Sequence, residues 1–506
     1  MGWVDISVIS LYLIMICGCG LYYSQKVQTQ NHYYVGTKTA PWWAIGLSVL
    51  ATYVSALSFL GGPAWAYGDG MAALAIHIQY PLVLFVCVGF FIPFFYKSGL
   101  LSIYDYFEQR FGKKTKLFMS LLFMVTTCIA IGSILTATAI AISYATDLSS
   151  ETAILIMLGI ACLYTLLGGM NAVIWTDVLQ SLIFLGIALF VFLSLINGSV
   201  FSDLETVGKL NQNWSLDPTI ASTIWAGVIA MTFYHITVYG AGQMMVQRVL
   251  AAKSIGDAKK AYLFMGYSAF FVYLIFFMIG GMLYLYYNGV AFDNVNTVIL
   301  KYVDDMGIAG LLGLVVVAVL SASMSSVSSA LNSLTTVTMN DFFPDKDLTF
   351  ARGLTIAWAF ISFLVAMRFL GSTGSILETL SAVGSYFVGA KFAAFYLGFF
   401  SKNVREKDLL IGIAVGFLAV GYYGIYTNVA WPWYAVIGSL VTIAVAEMVG
   451  APNLEKEWHE YSVKGQQKKL GEQKENGWYL APGYFEKPTQ GLIVLFAAIL
   501  LWINLV

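Results

Sequence analysis

Two stretches of this chain carry no charge over lengths that a water-exposed surface does not tolerate. From Met306 to Asn340 there is no Asp, Glu, Lys or Arg, and the same holds between Asp408 and Glu447. A helix needs about 20 apolar residues to cross a bilayer, and Trp431-Pro432 divides the second stretch into two such helices. The rest of the sequence repeats the pattern. Apolar runs fall at roughly 5–23, 43–66, 71–96, 117–146, 152–168, 174–197, 219–243, 262–288, 309–340, 351–370, 374–400, 409–426, 432–449 and 489–505, fourteen in all. None alternates with the two-residue period of a membrane β-strand. The expected fold is therefore all-α and polytopic. Composition agrees: 59% of the 506 residues are hydrophobic and 10% are charged, against about 25% charge in an average soluble domain.

Basic residues set an expected orientation. With the N-terminus outside, 22 of the 26 Lys and Arg fall in cytoplasmic segments, Arg248 and Lys259 among them. Both termini then face out of the cytoplasm, the chain is expected in the cell membrane, and residues 450–488 form a polar cytoplasmic loop with a short helix. The first run lacks a basic start and a small-residue cleavage site, so it reads as a span rather than a removed leader. A net charge of −1 offers nothing to nucleic acid. Cys17, Cys19, Cys87, Cys128 and Cys162 lie in apolar runs without metal-like spacing and read as packing residues.

Polar groups inside hydrocarbon are costly, so their positions are informative. Ala322, Ser325, Ser326 and Ser329 share one helix face, flanked by Ser328. Hydroxyl and carbonyl oxygens are what a hard cation accepts in place of water, although small residues also permit close helix packing. Asp177 lies inside the sixth run, after Gly168-Gly169, at the depth of those serines; it either pairs with a base or neutralises a cation. Gly61-Gly62-Pro63 in the second run and Tyr239-Gly240-Ala241-Gly242 in the seventh predict interrupted helices five spans apart. Transporters use such breaks to expose carbonyls at mid-membrane. His77 and His235 are the histidines within spans; they are either hydrogen-bonded in the core or face an oxygen-rich or anionic solute. His32 and His459 fall in loops. Lys391 is read as snorkelling to the interface.

These features together resemble the sodium/solute symporter family over nearly the whole chain. Gly168–Gln180 (GGMNAVIWTDVLQ), Val246–Ser254 (VQRVLAAKS) and Ser325–Ser333 (SSVSSALNS) carry the resemblance. It implies a five-plus-five inverted repeat of the bacterial leucine-transporter type, with repeats at 43–197 and 219–400. One extra helix and a loop precede them (1–42) and three helices follow (401–506). It implies one sodium at the carbonyls of Ala51, Val54 and Ala322 and the hydroxyls of Ser325 and Ser326. A second, as in the sialic acid branch, would use Asp177, Ser325, Ser328 and Ser329. One or two sodium ions per cycle are expected.

The solute positions implied by the same resemblance are Ser55, Ser58, His77, His235, Tyr239 and Ser381. Here the chain departs from the family. His77 stands where the sialic acid branch has a glutamine and the sugar branch a glutamate. His235 replaces an asparagine, Ser381 a glutamine, and Ala130 the arginine that clamps the sialic carboxylate. Ala269 stands near the family's eighth-span lysine. The implied activity is sodium-coupled import of a small polar solute, a sugar or sugar acid, by alternating access, with the chain acting as a monomer in the bilayer. The alternatives are a proton-coupled symporter, or a sodium symporter for a monocarboxylate or vitamin. No catalytic constellation or phosphate loop points to an enzyme.

Overall fold

The computed structural model describes residues 2–24, 34, 36–98, 100, 102–146, 148–370, 375–450, 457–483 and 485–505. His32 of the sequence reading lies outside them. The chain is a bundle of long apolar helices. The first, α1 (Trp3–Ser24), is followed by a span in two pieces, α2 (Trp42–Tyr53) and α3 (Ala56–Asp69). A 3-10 segment (Gly70–His77) then leads into α4 (Tyr80–Val86), which passes through a π turn (Cys87–Phe91) into α5 (Ile92–Ser98). After the short α6 (Asp105–Arg110) come α7 (Lys113–Ala145) and α8 (Ser150–Leu195).

The second half also opens on a split span. After α9 (Val200–Thr206), another π turn (Ala226–Ala230) opens a span split into α10 (Met231–Gly240) and α11 (Gln243–Leu250). The helices α12 (Ile255–Tyr286), α13 (Val298–Asp305), α14 (Leu311–Phe342), α15 (Leu348–Phe369) and α16 (Ile376–Phe400) complete it. Three further spans, α17 (Glu406–Tyr426), α18 (Pro432–Val449) and α20 (Lys487–Leu505), follow, with the short α19 (Val463–Leu470) before the last. Eleven helices among the described residues are long and apolar enough to cross a membrane alone. The two-piece spans and the first arm of α8 bring the crossings to the expected fourteen.

The helix most buried in the bundle is α14. All but Leu314 and its last turn is buried, and it packs along α8, α7 and α1. A helix apolar on every side belongs in the middle, and this one carries its serines and threonines there as well.

Several expected boundaries differ. The first break falls at Val54–Ser55, not at Gly61-Gly62-Pro63. Ser55 is extended (φ −112°, ψ −175°), and its hydroxyl caps the Leu57 N–H. Pro63 sits inside α3 without ending it. Gly62 and Pro63 serve contact instead: a Cβ on Gly62 would lie 3.3 Å from Cβ of Phe276 on α12, and the Pro63 carbonyl stands where Gly280 would carry one. Small residues let backbones approach in membranes, and packed neighbours let proline stay within a helix. The expected third span begins as the 3-10 segment, which holds His77 at its end. The fifth and sixth runs meet at a kink where Gly169 has φ +53°, a conformation that suits glycine.

The segment 457–485 is more than a loop with one helix. It adds a two-residue hairpin, Lys474–Glu475 with Trp478–Tyr479. Phe485 stacks on Phe85 at 4.4 Å, and the Gly483 N–H donates to the Gly89 carbonyl at 2.9 Å. Gly89 admits that ring, since a Cβ there would sit 2.0 Å from it. Lys259, counted among the basic residues of the cytoplasmic segments, is buried and pairs with Glu486 at 2.6 Å.

Candidate ion and solute sites

The break between α2 and α3 leaves carbonyls without helical partners at the middle of the bundle. Two serines of α14 reach them. Ser325 Oγ donates to the Ala51 carbonyl at 3.0 Å and to that of Ala322 at 3.0 Å. Ser326 Oγ donates to the Thr52 carbonyl at 3.0 Å and to that of Ala322 at 3.2 Å. Ala51, Ala322, Ser325 and Ser326 therefore meet, as the sequence places them, and Val54 is the residue at which the helix stops. The Thr52 carbonyl was not foreseen. The cluster is neutral, buried and made of oxygens, the donor set that suits sodium.

One turn further along α14 lies a different arrangement. Asp177 is fully buried, and its Oδ2 accepts from Ser48 Oγ at 2.5 Å and from Arg248 Nη2 at 2.9 Å. The guanidinium also donates through Nε to Ser48 Oγ at 2.8 Å and through Nη2 to Ser329 Oγ at 2.5 Å. Arg248, expected in a cytoplasmic loop, thus sits on α11 with no exposed surface. The seventh span does not end at 243 but continues to Leu250, and that turns Gln247 and Arg248 inward. Gln247 binds the same helix, donating to Asn332 Oδ1 at 2.8 Å and accepting from Ser333 Oγ at 2.9 Å. Asp177 Oδ1 has no hydrogen-bond partner among the described residues. Ser328 Oγ turns back to the Ser325 carbonyl at 3.1 Å. A cation here would have Asp177 Oδ1 and the serine oxygens and would share the carboxylate with a guanidinium.

A cavity of about 210 Å³ opens beside both breaks. Thr52, Ser55 and Ser58 line it from the first break, Ala241, Gly242 and Gln243 from the second, and Ala130 from α7. Ser381 and Lys391 line it from α16. Of the expected solute contacts, Ser55, Ser58 and Ser381 face this space. His77, His235 and Tyr239 do not. They form a packed wall behind Tyr53 and Tyr273, which do line the cavity.

Within the wall, His235 Nε2 pairs with Tyr53 Oη at 2.5 Å, and Gln79 Nε2 donates to His235 Nδ1 at 2.5 Å. His77 Nδ1 pairs with Tyr80 Oη at 2.7 Å, and its ring stacks on Tyr273 at 3.9 Å. Tyr273 Oη in turn meets Ser58 Oγ at 2.9 Å. The histidines are thus hydrogen-bonded core residues one layer from the cavity. Lys391 does not reach for the interface; its Nζ donates to Thr126 Oγ1 at 3.1 Å on the cavity wall.

A broken span beside an oxygen cluster and a cavity is the arrangement of a secondary transporter. The sequence profile of the sodium:solute symporter family matches residues 33–416. This chain belongs to that family. The sodium/sialic acid symporter SiaT of Proteus mirabilis (strain HI4320) is 29% identical over 89% of this chain and 95% of its own. Sodium-coupled monocarboxylate transporter 2 of Bos taurus is 28% identical over 82% of this chain and 71% of its own. A substrate-bound, outward-open structure of a sodium-coupled sialic acid symporter superposes with a TM-score of 0.80 at 26% identity, covering 89% of this chain and 99% of that one. The fold is therefore the all-α, leucine-transporter-like one, and sodium is the coupling ion of the family. The family and these neighbours are transporters.

Proposed function

We propose that the chain is a sodium-coupled symporter that carries a small polar solute, a sugar or sugar acid, by alternating access. One observation carries the reading: the break between α2 and α3 adjoins both the ion cluster and the cavity, and Thr52 belongs to both. Thr52 presents its carbonyl to Ser326 while the same residue lines the solute space. A sodium held by Ala51, Thr52, Val54, Ala322, Ser325 and Ser326 would fix the break, and with it the position of Ser55 and Ser58. By linkage, a solute that favours the same arrangement strengthens sodium binding by the same factor. Each sodium entering down a 100 mV potential adds about 2.3 kcal/mol to uphill uptake.

The moving units are the two repeats, 43–197 and 219–400, rocking about the cavity. Residues 1–42 and 401–506 frame them. The chain works as a monomer in the cell membrane with both termini outside the cytoplasm, and moves one or two sodium ions per cycle through the Ala51/Ala322 and Asp177/Ser329 clusters. Sialic acid is the cargo named for the Proteus relative, but the substitution at Ala130 favours a related acid. A monocarboxylate, the cargo named for the bovine relative, is the second reading, supported by the cavity's many apolar residues.

Proteoliposomes decide the coupling. A sodium gradient at fixed pH should accumulate a radiolabelled sugar acid or lactate. Accumulation driven by a pH gradient without sodium would overturn the reading.

A further inference from the structure

Among the described residues that line the cavity, Lys391 is the one that is charged, and no Asp or Glu lines it with the lysine. The ion pairs among the described residues do not include it. Its neighbours are the Thr126 hydroxyl at 3.1 Å and the Phe123 ring at 5.8 Å. An ammonium in low dielectric without a counter-ion is costly. A lysine that could extend to the interface would lower that cost by doing so, yet this one stays against the cavity wall.

We infer that Lys391 is the anion-binding residue of the transport cavity and that the solute is a monocarboxylate-bearing molecule. The inference rests on the symporter reading. One ammonium balances one carboxylate, and the rest of the described lining is uncharged: Ser55 and Ser58 at the first break, Gln243 at the second, and Ser381 among Leu377, Leu380 and Phe387 on α16. A dianion would leave a charge unpaired there. Ser381 and Lys391 both line the cavity from α16.

The test is thermal stabilisation of the full-length protein in detergent, in sodium chloride and in choline chloride. The probes are N-acetylneuraminate, D-glucuronate and L-lactate, each against a neutral counterpart: N-acetyl-D-mannosamine, D-glucose and 1,2-propanediol. At least one acid should stabilise the protein where its neutral counterpart does not. Lys391→Gln should weaken that acid's apparent affinity about tenfold to a hundredfold, the worth of a charge-assisted hydrogen bond. Lys391→Arg should keep it within about threefold. The inference falls if Lys391→Gln binds the acid like the unaltered protein, if neutral counterparts stabilise equally well, or if none of the three acids stabilises. The acid-against-neutral comparison needs no variant and so stands even if Lys391→Gln fails to fold. Acid binding that is equal in sodium and choline would sink the sodium coupling and spare the anion site. Sodium-dependent binding of a neutral sugar alone would do the reverse.

Discussion

Two polar clusters sit one turn apart on α14, and they are built in opposite ways. Around Ser325 and Ser326 all the groups are neutral oxygens, three of them backbone carbonyls, Ala51, Thr52 and Ala322. Around Ser329 a carboxylate faces a guanidinium, both without exposed surface. The first cluster has nothing positive of its own, so a cation from outside can change how the break between α2 and α3 is held. The second already contains its cation, and that cation is covalently part of α11. Serines at helical spacing thus say where polarity lies, while the residue facing them says whether it is free to take an ion.

The largest test of this contrast is Asp177→Ala. It strands a buried guanidinium, and removing one partner of such a pair costs about 3–5 kcal/mol. Thermal unfolding in detergent should show the loss, and Asp177→Ala combined with Arg248→Met should return much of it. Unchanged melting of the single variant would mean that the pair does not hold α11 to α8. Next in size is Arg248→Lys. An ammonium keeps the charge but cannot reproduce the fork that reaches Ser48, Asp177 and Ser329 together. About 2 kcal/mol of stability should go, read from the same melts.

Ser326→Ala should act on the ion instead. The protein should melt nearly as before, while half-maximal uptake needs about tenfold more sodium, the cost of roughly one ligand. Normal uptake at low sodium would remove the Ser325/Ser326 cluster from the ion path. Ser328→Ala should matter least. Its hydroxyl bonds a carbonyl of its own helix, so sodium dependence should shift by about threefold or less. A larger shift would place a sodium on Asp177 Oδ1 beside the guanidinium and make the two clusters more alike than they look.

The fold was legible because charge-free length and helical period are read directly from residues, as in 306–340. The Ser325/Ser326 cluster was legible for the same reason: Ala322, Ser325 and Ser326 share a face whatever surrounds them. Arg248 was not. Counted as a basic residue beyond a span, it belonged to a loop; what turns it inward is the restart of the helix at Gln243, set by the tertiary position of the break. The first break was misplaced by a similar route. Gly61-Gly62-Pro63 looked like an interruption, but the close approach of α12 employs it as a contact, and Ser55 makes the stop. His77 and His235 show the limit of residue type. Their rings are central, yet Tyr53 and Tyr273 stand between them and the cavity, and no spacing within one helix foretells which aromatic layer faces the space.

The ring of Phe485, seated in the notch at Gly89 and stacked on Phe85, has its own bearing on how the protein moves. It fastens a helix of the first half to chain that lies beyond the second half. If α4 tilts during transport, Phe485 must ride with it or come unstacked. Either way the hairpin reports where α4 stands, from a segment that lines none of the cavity.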